Sequence, residues 1–122
     1  MGDLTAHFSR WEFADPEHPD GWREINLGLL RGLELLRQKV GLPIRVTSGL
    51  RILDLGSFHS EGTAADVACR CSLRVLYELA LGIEVFSSSG VGLYPQENFV
   101  HVDVGRSIPY RWVRIAGTYY YW

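Results

Sequence analysis

Two imidazoles and a carboxylate constrain this chain more than any other feature. His59 and Asp66 stand seven residues apart, and His101 follows thirty-five residues later in Phe99-Val100-His101-Val102-Asp103-Val104. A separation of seven does not place two side chains side by side on a helix in the way i, i+4 does. They meet across a turn instead. Ser60-Glu61-Gly62 is turn material, with Gly free to take positive φ. Asp66 then opens a short apolar strand, Val67-Ala68-Cys69, and the β-branched alternation around His101 reads as a second strand. If the two strands are neighbours, all three side chains reach one face. Alternation then turns Val100 and Val102 to the other face, the core. Two His and one carboxylate are the ligand set of a catalytic zinc site whose fourth position is open to water.

The rest of the chain supplies a scaffold. Asn26 caps a helix in which Leu27, Leu29, Leu30, Leu33 and Leu36 form an apolar stripe, with Arg31, Glu34, Arg37 and Gln38 opposite. Lys39 in the last turn and Gly41 after it mark its end. Pro43 leads into an alternating strand, Ile44 to Ser48. Ser72 caps a second helix from Leu73 to about Leu81, ended by Gly82, and Ser87-Ser88-Ser89-Gly90 turns into a strand from Val91 to Tyr94. Pro95 to Asn98 connects it to the strand at Phe99. Arg111 to Ile115 is a candidate last strand, and Tyr119-Tyr120-Tyr121-Trp122 reads as a packed aromatic cluster rather than a sugar-stacking one. The order predicts an α+β fold, a small antiparallel sheet with helices packed on one side. Leu30, Leu33, Val46, Val67, Val91, Val100 and Val102 are its expected core. The N-terminal Asp15-Pro16, His18-Pro19 and Asp20-Gly21 pairs read as an irregular arm pinned by Phe8, Trp11, Phe13 and Trp22, with His18 a loop residue. Cys69 and Cys71 read as unbridged small hydrophobes at a strand end.

At 122 residues the expectation is a single domain, 1–122, acting as a monomer. A net charge of −2 without a Lys/Arg run gives no footprint for nucleic acid. No apolar run approaches the ~20 residues of a membrane span. The N-terminus lacks the basic and apolar regions of a signal peptide, and Ala6 stands where a myristoylation motif wants Ser or Thr.

The pattern Ser-x-His-x-x-Gly-x-Ala-x-Asp followed by a distal His resembles the zinc D-Ala-D-Ala carboxypeptidases and peptidoglycan endolysins of metallopeptidase family fifteen, whose core lysostaphin and the hedgehog domain share. Ser57, His59, Gly62 and Asp66 fall on it, with the small residue met by both Ala64 and Ala65. Phe8-Ser9-Arg10-Trp11-Glu12-Phe13, Pro43 to Arg51, Gly92-Leu93-Tyr94-Pro95 and Phe99 to Asp103 extend the resemblance over most of the chain. Family members carry a longer polar loop between the positions of Arg51 and Ser57, which implies a more open cleft here.

The resemblance implies a hedgehog/D-Ala-D-Ala-peptidase-like fold and one Zn2+ held by His59, Asp66 and His101. Zinc in such a site lowers the pKa of its bound water to about 7 and polarises the scissile carbonyl. Asp103 or Glu97 would accept a hydrogen bond from the outer nitrogen of a ligating His. The family places an acid three residues before its second His, where this chain has Asn98, so the general base falls to Asp103 or to Glu97, with Asp103 preferred on strand parity. Arg51 resembles the family's arginine after Ser-Gly-x and would bind a substrate carboxylate or oxyanion, its alternative being a salt bridge to Asp54 or Asp66. Ser57 braces the His59 turn. Two functions are implied: a zinc peptidase cutting peptidoglycan stem peptides, as carboxypeptidase or endopeptidase, or a zinc-bearing binding or virion structural module that has lost the base. Either is made in the cytoplasm and acts at the cell wall, reached by phage lysis or on a virion.

Overall fold

The computed structural model describes residues 5–9, 25–48 and 63–122. His59, Arg51 and Ser57, and the arm residues Trp11, Phe13, His18 and Trp22, lie outside them.

Helix α1 (Leu27–Val40) forms where the leucine stripe predicts it. The Asn26 side chain accepts a hydrogen bond from the Leu29 N–H at 3.2 Å, and Gly41 ends the helix in the left-handed conformation at φ 73°. Strands β1 (Ile44–Ser48) and β2 (Ala64–Cys69) follow, then helix α2 (Leu73–Leu81) and a single-turn helix α3 (Glu84–Ser87). Strands β3 (Gly90–Tyr94), β4 (Phe99–Asp103), β5 (Tyr110–Ile115) and β6 (Thr118–Tyr121) complete the order. The six strands form one sheet in the order β1-β2-β4-β3-β5-β6. All neighbours are antiparallel except β3 and β5, which run parallel.

The fold is α+β, as the sequence predicts. Leu29, Leu30, Leu33 and Leu36 of α1 join Leu76 and Ala80 of α2 and Phe86 of α3 in a core over the back of the sheet. Val46, Val67, Val91, Val100 and Val102 meet them there, and every predicted core residue is buried. Burying one such side chain is worth about 1.5–3 kcal/mol.

Several details depart from the sequence expectation. Strand β2 begins at Ala64, two residues before Asp66, because its backbone pairs with β4 from Ala64↔Asp103 onward. Helix α3 was not expected; it ends at Ser87, and the expected turn follows through Ser88 and Ser89 into β3. One strand pair is parallel in a sheet expected to be antiparallel throughout. Cys69 and Cys71 are bridged, with Cα atoms 5.3 Å apart. A regular strand would hold them about 6.6 Å apart, at the far limit for a bridge, but β2 ends at Cys69 and the chain bends at Arg70, which draws the two Cα atoms closer. The C-terminal aromatics form a further strand, β6, instead of a packed cluster, and Tyr119, Tyr120, Tyr121 and Trp122 are all exposed.

The β5–β6 hairpin turns through two residues, Ala116 and Gly117, at φ 50° and 81°, between the paired Ile115 and Thr118. Two central residues at positive φ favour Asn-Gly in such a turn, and Ala pays for the left-handed region through its Cβ. Ala116→Asn is therefore expected to stabilise the protein by up to about 1 kcal/mol, read as a rise in the midpoint of urea unfolding at unchanged slope.

Candidate active site

The site lies on the front of the sheet, opposite the core, and strand register fixes its rows. Asp66 on β2 pairs with His101 on β4, His101 with Gly92 on β3, Gly92 with Trp112 on β5, and Trp112 with Tyr121 on β6. One row towards the β4 C-terminus, Ala64, Asp103, Gly90 and Tyr110 are aligned in the same way. Period-two alternation thus puts Asp66, His101 and Asp103 on one face while their neighbours Val67, Val100 and Val102 fill the core.

His101 is gripped at both nitrogens. Its Nδ1 lies 3.1 Å from Asp66 Oδ1 and its Nε2 lies 2.7 Å from Asp103 Oδ2. All three residues are buried, Asp103 completely. A buried carboxylate of this kind needs partners. Ser89 Oγ donates to Asp103 Oδ1 at 2.6 Å, and the Arg106 guanidinium reaches both carboxylate oxygens at 2.9–3.0 Å. The backbone N–H of Arg106 in turn donates to Ser89 Oγ at 3.1 Å. Ser89 comes from the turn before β3 and Arg106 from the loop after β4, so a closed polar cluster sits behind the imidazole.

Strand β3 makes room for this cluster by lacking side chains. A Cβ on Gly90 would stand 2.6 Å from Asp103 Oδ1, and one on Gly92 would stand 2.7 Å from Cζ2 of Trp112. The Trp112 indole fills the space over Gly92, its ring centre 5.1 Å from that of His101, and its Nε1–H donates to the Tyr94 hydroxyl at 3.1 Å. Burial is the main cause that pushes the Tyr94 phenol up to about 12, and the Trp112 hydrogen bond opposes the shift only in part. Tyr94 stays a neutral hydroxyl.

Glu97 and Asn98 lie in the β3–β4 turn. Glu97 is ion-paired with Arg114 of β5, and both are partly exposed. Asn98 is left-handed at φ 62°, a conformation that Asn adopts more readily than most residues, so this turn accounts for Asn at its position.

Two of the three expected metal ligands, Asp66 and His101, are thus side by side, and His59 lies outside the described residues. Among the described residues no three His, Cys, Asp or Glu side chains converge as a metal site. Asp103 does not converge with Asp66 because it binds the opposite nitrogen of the imidazole. That arrangement suits a ligating His: one nitrogen faces a carboxylate ligand, and the other donates to a buried acceptor that fixes tautomer and ring orientation. Sequence reasoning missed Arg106, Ser89 and Trp112. Only the strand parity of Trp112 hinted at a place on this face, and the other two are loop residues with no periodicity to read.

The charges are mutually dependent. Burial alone would lower the His101 pKa, but its hydrogen bonds to Asp103 and Asp66, with their negative charges, outweigh that and raise it. Burial alone would raise the Asp103 pKa, but hydrogen bonds from His101, Arg106 and Ser89 and the imidazolium charge hold it low. A histidine with a raised folded pKa gives stability that is fully present below its unfolded value and lost as the pH rises through the folded value. A carboxylate held low gives stability present above its unfolded value and lost as the pH falls through the folded one. In metal-free protein the melting temperature should therefore decline as the pH is raised from about 6.5. His101→Gln should flatten that decline, and an equal slope in both proteins would refute the pairing.

The peptidase M15 family model matches residues 7–103, which span the β2 and β4 strands of the site. Peptidoglycan L,D-endopeptidase MepK of Escherichia coli K12 is 30% identical across 68% of this chain and 53% of its own length, as are the MepK proteins of E. coli O157:H7 and Shigella flexneri. The chain spans about half the length of these curated relatives. No solved structure matches it. The chain belongs to the peptidase M15 family.

Proposed function

We propose that this chain is a zinc-dependent peptidase that hydrolyses stem peptides of peptidoglycan. The observation that carries the reading is the Asp66–His101–Asp103 arrangement, with the imidazole held at 3.1 Å and 2.7 Å between two carboxylates on the front of the sheet, opposite the aliphatic core. Asp66 Oδ1 and His101 Nδ1 would hold the metal together with His59. Zinc there supplies Lewis acidity and a nucleophile active at neutral pH. Asp103 accepts the Nε2–H of His101, which leaves the Nδ1 lone pair for the metal. This is a positioning role: with no exposed surface and three partners, Asp103 is poorly placed to take a proton from solvent or substrate. Glu97 is the better candidate for the general base, partly exposed and held by Arg114 on the site face. Arg51 is assigned the substrate carboxylate or oxyanion. The similarity to peptidoglycan L,D-endopeptidases makes an L,D bond the first substrate to try, ahead of a terminal D-Ala.

A zinc-bearing binding module is the second reading, favoured by Asn98 at the family's base position. Soluble muropeptides incubated with zinc-loaded and with metal-stripped protein separate the two. The peptidase reading expects one zinc per chain and cleavage only by the loaded form. Glu97→Gln should keep its zinc and lose about 10²–10⁴-fold in rate. Asp103→Asn should instead weaken zinc binding ~10–100-fold. Stoichiometric zinc without any cleavage would establish the binding module, and folded protein that takes up no zinc would overturn both.

A further inference from the structure

The front of the sheet carries more than the candidate site. Beyond Trp112 its β5–β6 half is tiled with aromatic rings. Tyr121 lies 6.3 Å from Trp112 and 6.4 Å from Tyr110, and Tyr119 meets Tyr94 edge-on at 6.3 Å. Tyr94 stacks on Phe99 at 4.4 Å, and the Arg106 and Arg114 guanidinium groups lie over Tyr110, Trp112 and Tyr119. Core packing does not explain these rings: Tyr110, Tyr119 and Tyr121 are 41%, 46% and 64% exposed.

We propose that this aromatic half-face binds the sugar rings of a glycan strand, so that a stem peptide attached to that strand is delivered to Asp66 and His101 in the next rows of the same face. The proposal rests on the peptidase reading for the identity of the polymer. Three observations select a neutral sugar. The rings are continuous with the site through Trp112, which touches His101 on one side and Tyr121 on the other. Among the described residues, the two guanidinium groups that lie over these rings are already paired, Arg106 with Asp103 and Arg114 with Glu97, so these rings are not arranged to capture a charged ligand. Among the described residues of this face the exposed rings, Tyr110, Tyr119 and Tyr121, are tyrosines, which offer a flat apolar body and a hydroxyl tip. The C–H face of a pyranose meets the electron-rich ring face, and its hydroxyls meet the phenolic rim.

The test uses the full chain and strands of β-1,4-linked N-acetylglucosamine as the peptide-free glycan, which stay neutral where stripping the stem peptides from peptidoglycan would expose lactyl carboxylates. Wild-type protein should be retained on these strands. The double variant Tyr119→Ala/Tyr121→Ala should bind at least about tenfold more weakly, and Tyr121→Phe, which keeps the ring, should bind within about twofold of wild type. If the double variant melts early, Tyr121→Ala alone carries the test. Wild-type protein that ignores peptide-free glycan, or a double variant that binds it as well as wild type, would overturn the proposal. So would a variant whose only change is loss of self-association in sedimentation. Cleavage of a sugar-free stem peptide is measured in parallel: its absence in a protein that still binds glycan would overturn the peptidase reading and leave the sugar surface standing.

Discussion

Everything at the front of this sheet depends on one imidazole held between two carboxylates. His101 cannot rotate without breaking a hydrogen bond at one nitrogen or the other, and Asp103 cannot leave without stranding Arg106. Buried charges are tolerated only when paired and hydrogen-bonded. Here the pairing is complete enough to keep a carboxylate with no solvent contact ionised. Ser89 and Arg106, remote in sequence from each other, are therefore as much a part of the site as the two ligand candidates.

The same sheet does two jobs with one strand pattern. Its back face is aliphatic and closed by helices, while its front face is polar on β2 and β4 and aromatic on β5 and β6. Strand β3 lies between these halves and has glycine at both front positions nearest the cluster. Those glycines let the Asp103 carboxylate and the Trp112 indole occupy space that a side chain on β3 would otherwise take. A methyl group at either position would push on the polar cluster or on the ring beside His101.

Much of this was legible in the sequence because periodicity writes it there. Leu27 is exposed in the first turn, but the rest of the α1 stripe, the Gly41 stop and the valine alternation that places His101 opposite the core all follow from local pattern, and the structure bears them out. So does the pairing of Asp66 with His101 on one face, which needed only the assumption that their strands are neighbours. What escaped depended on contacts without a period. Arg106 and Ser89 reach Asp103 from loops. The Cys69–Cys71 bridge needed the bend at Arg70, and the exposure of the C-terminal aromatics depended on β6 taking a sheet edge. The carboxylate that strand parity recommended as a base, Asp103, has that parity, but burial and its three partners suit it to holding a ring in place.

Register also has a consequence for the order in which the molecule becomes competent. The β3–β4 and β5–β6 pairs are local hairpins, each closed by a short turn. The β2–β4 seam joins Asp66 to His101 across 35 residues of chain, so it bears a larger loop-closure entropy than either hairpin. Contacts of long sequence separation are slow to form. A chain with both hairpins in place but β2 undocked would have most of its sheet and no contact between Asp66 and His101. Chemistry at this site therefore reports that the whole fold has closed, and separation of that one seam would silence it while the hairpins persist.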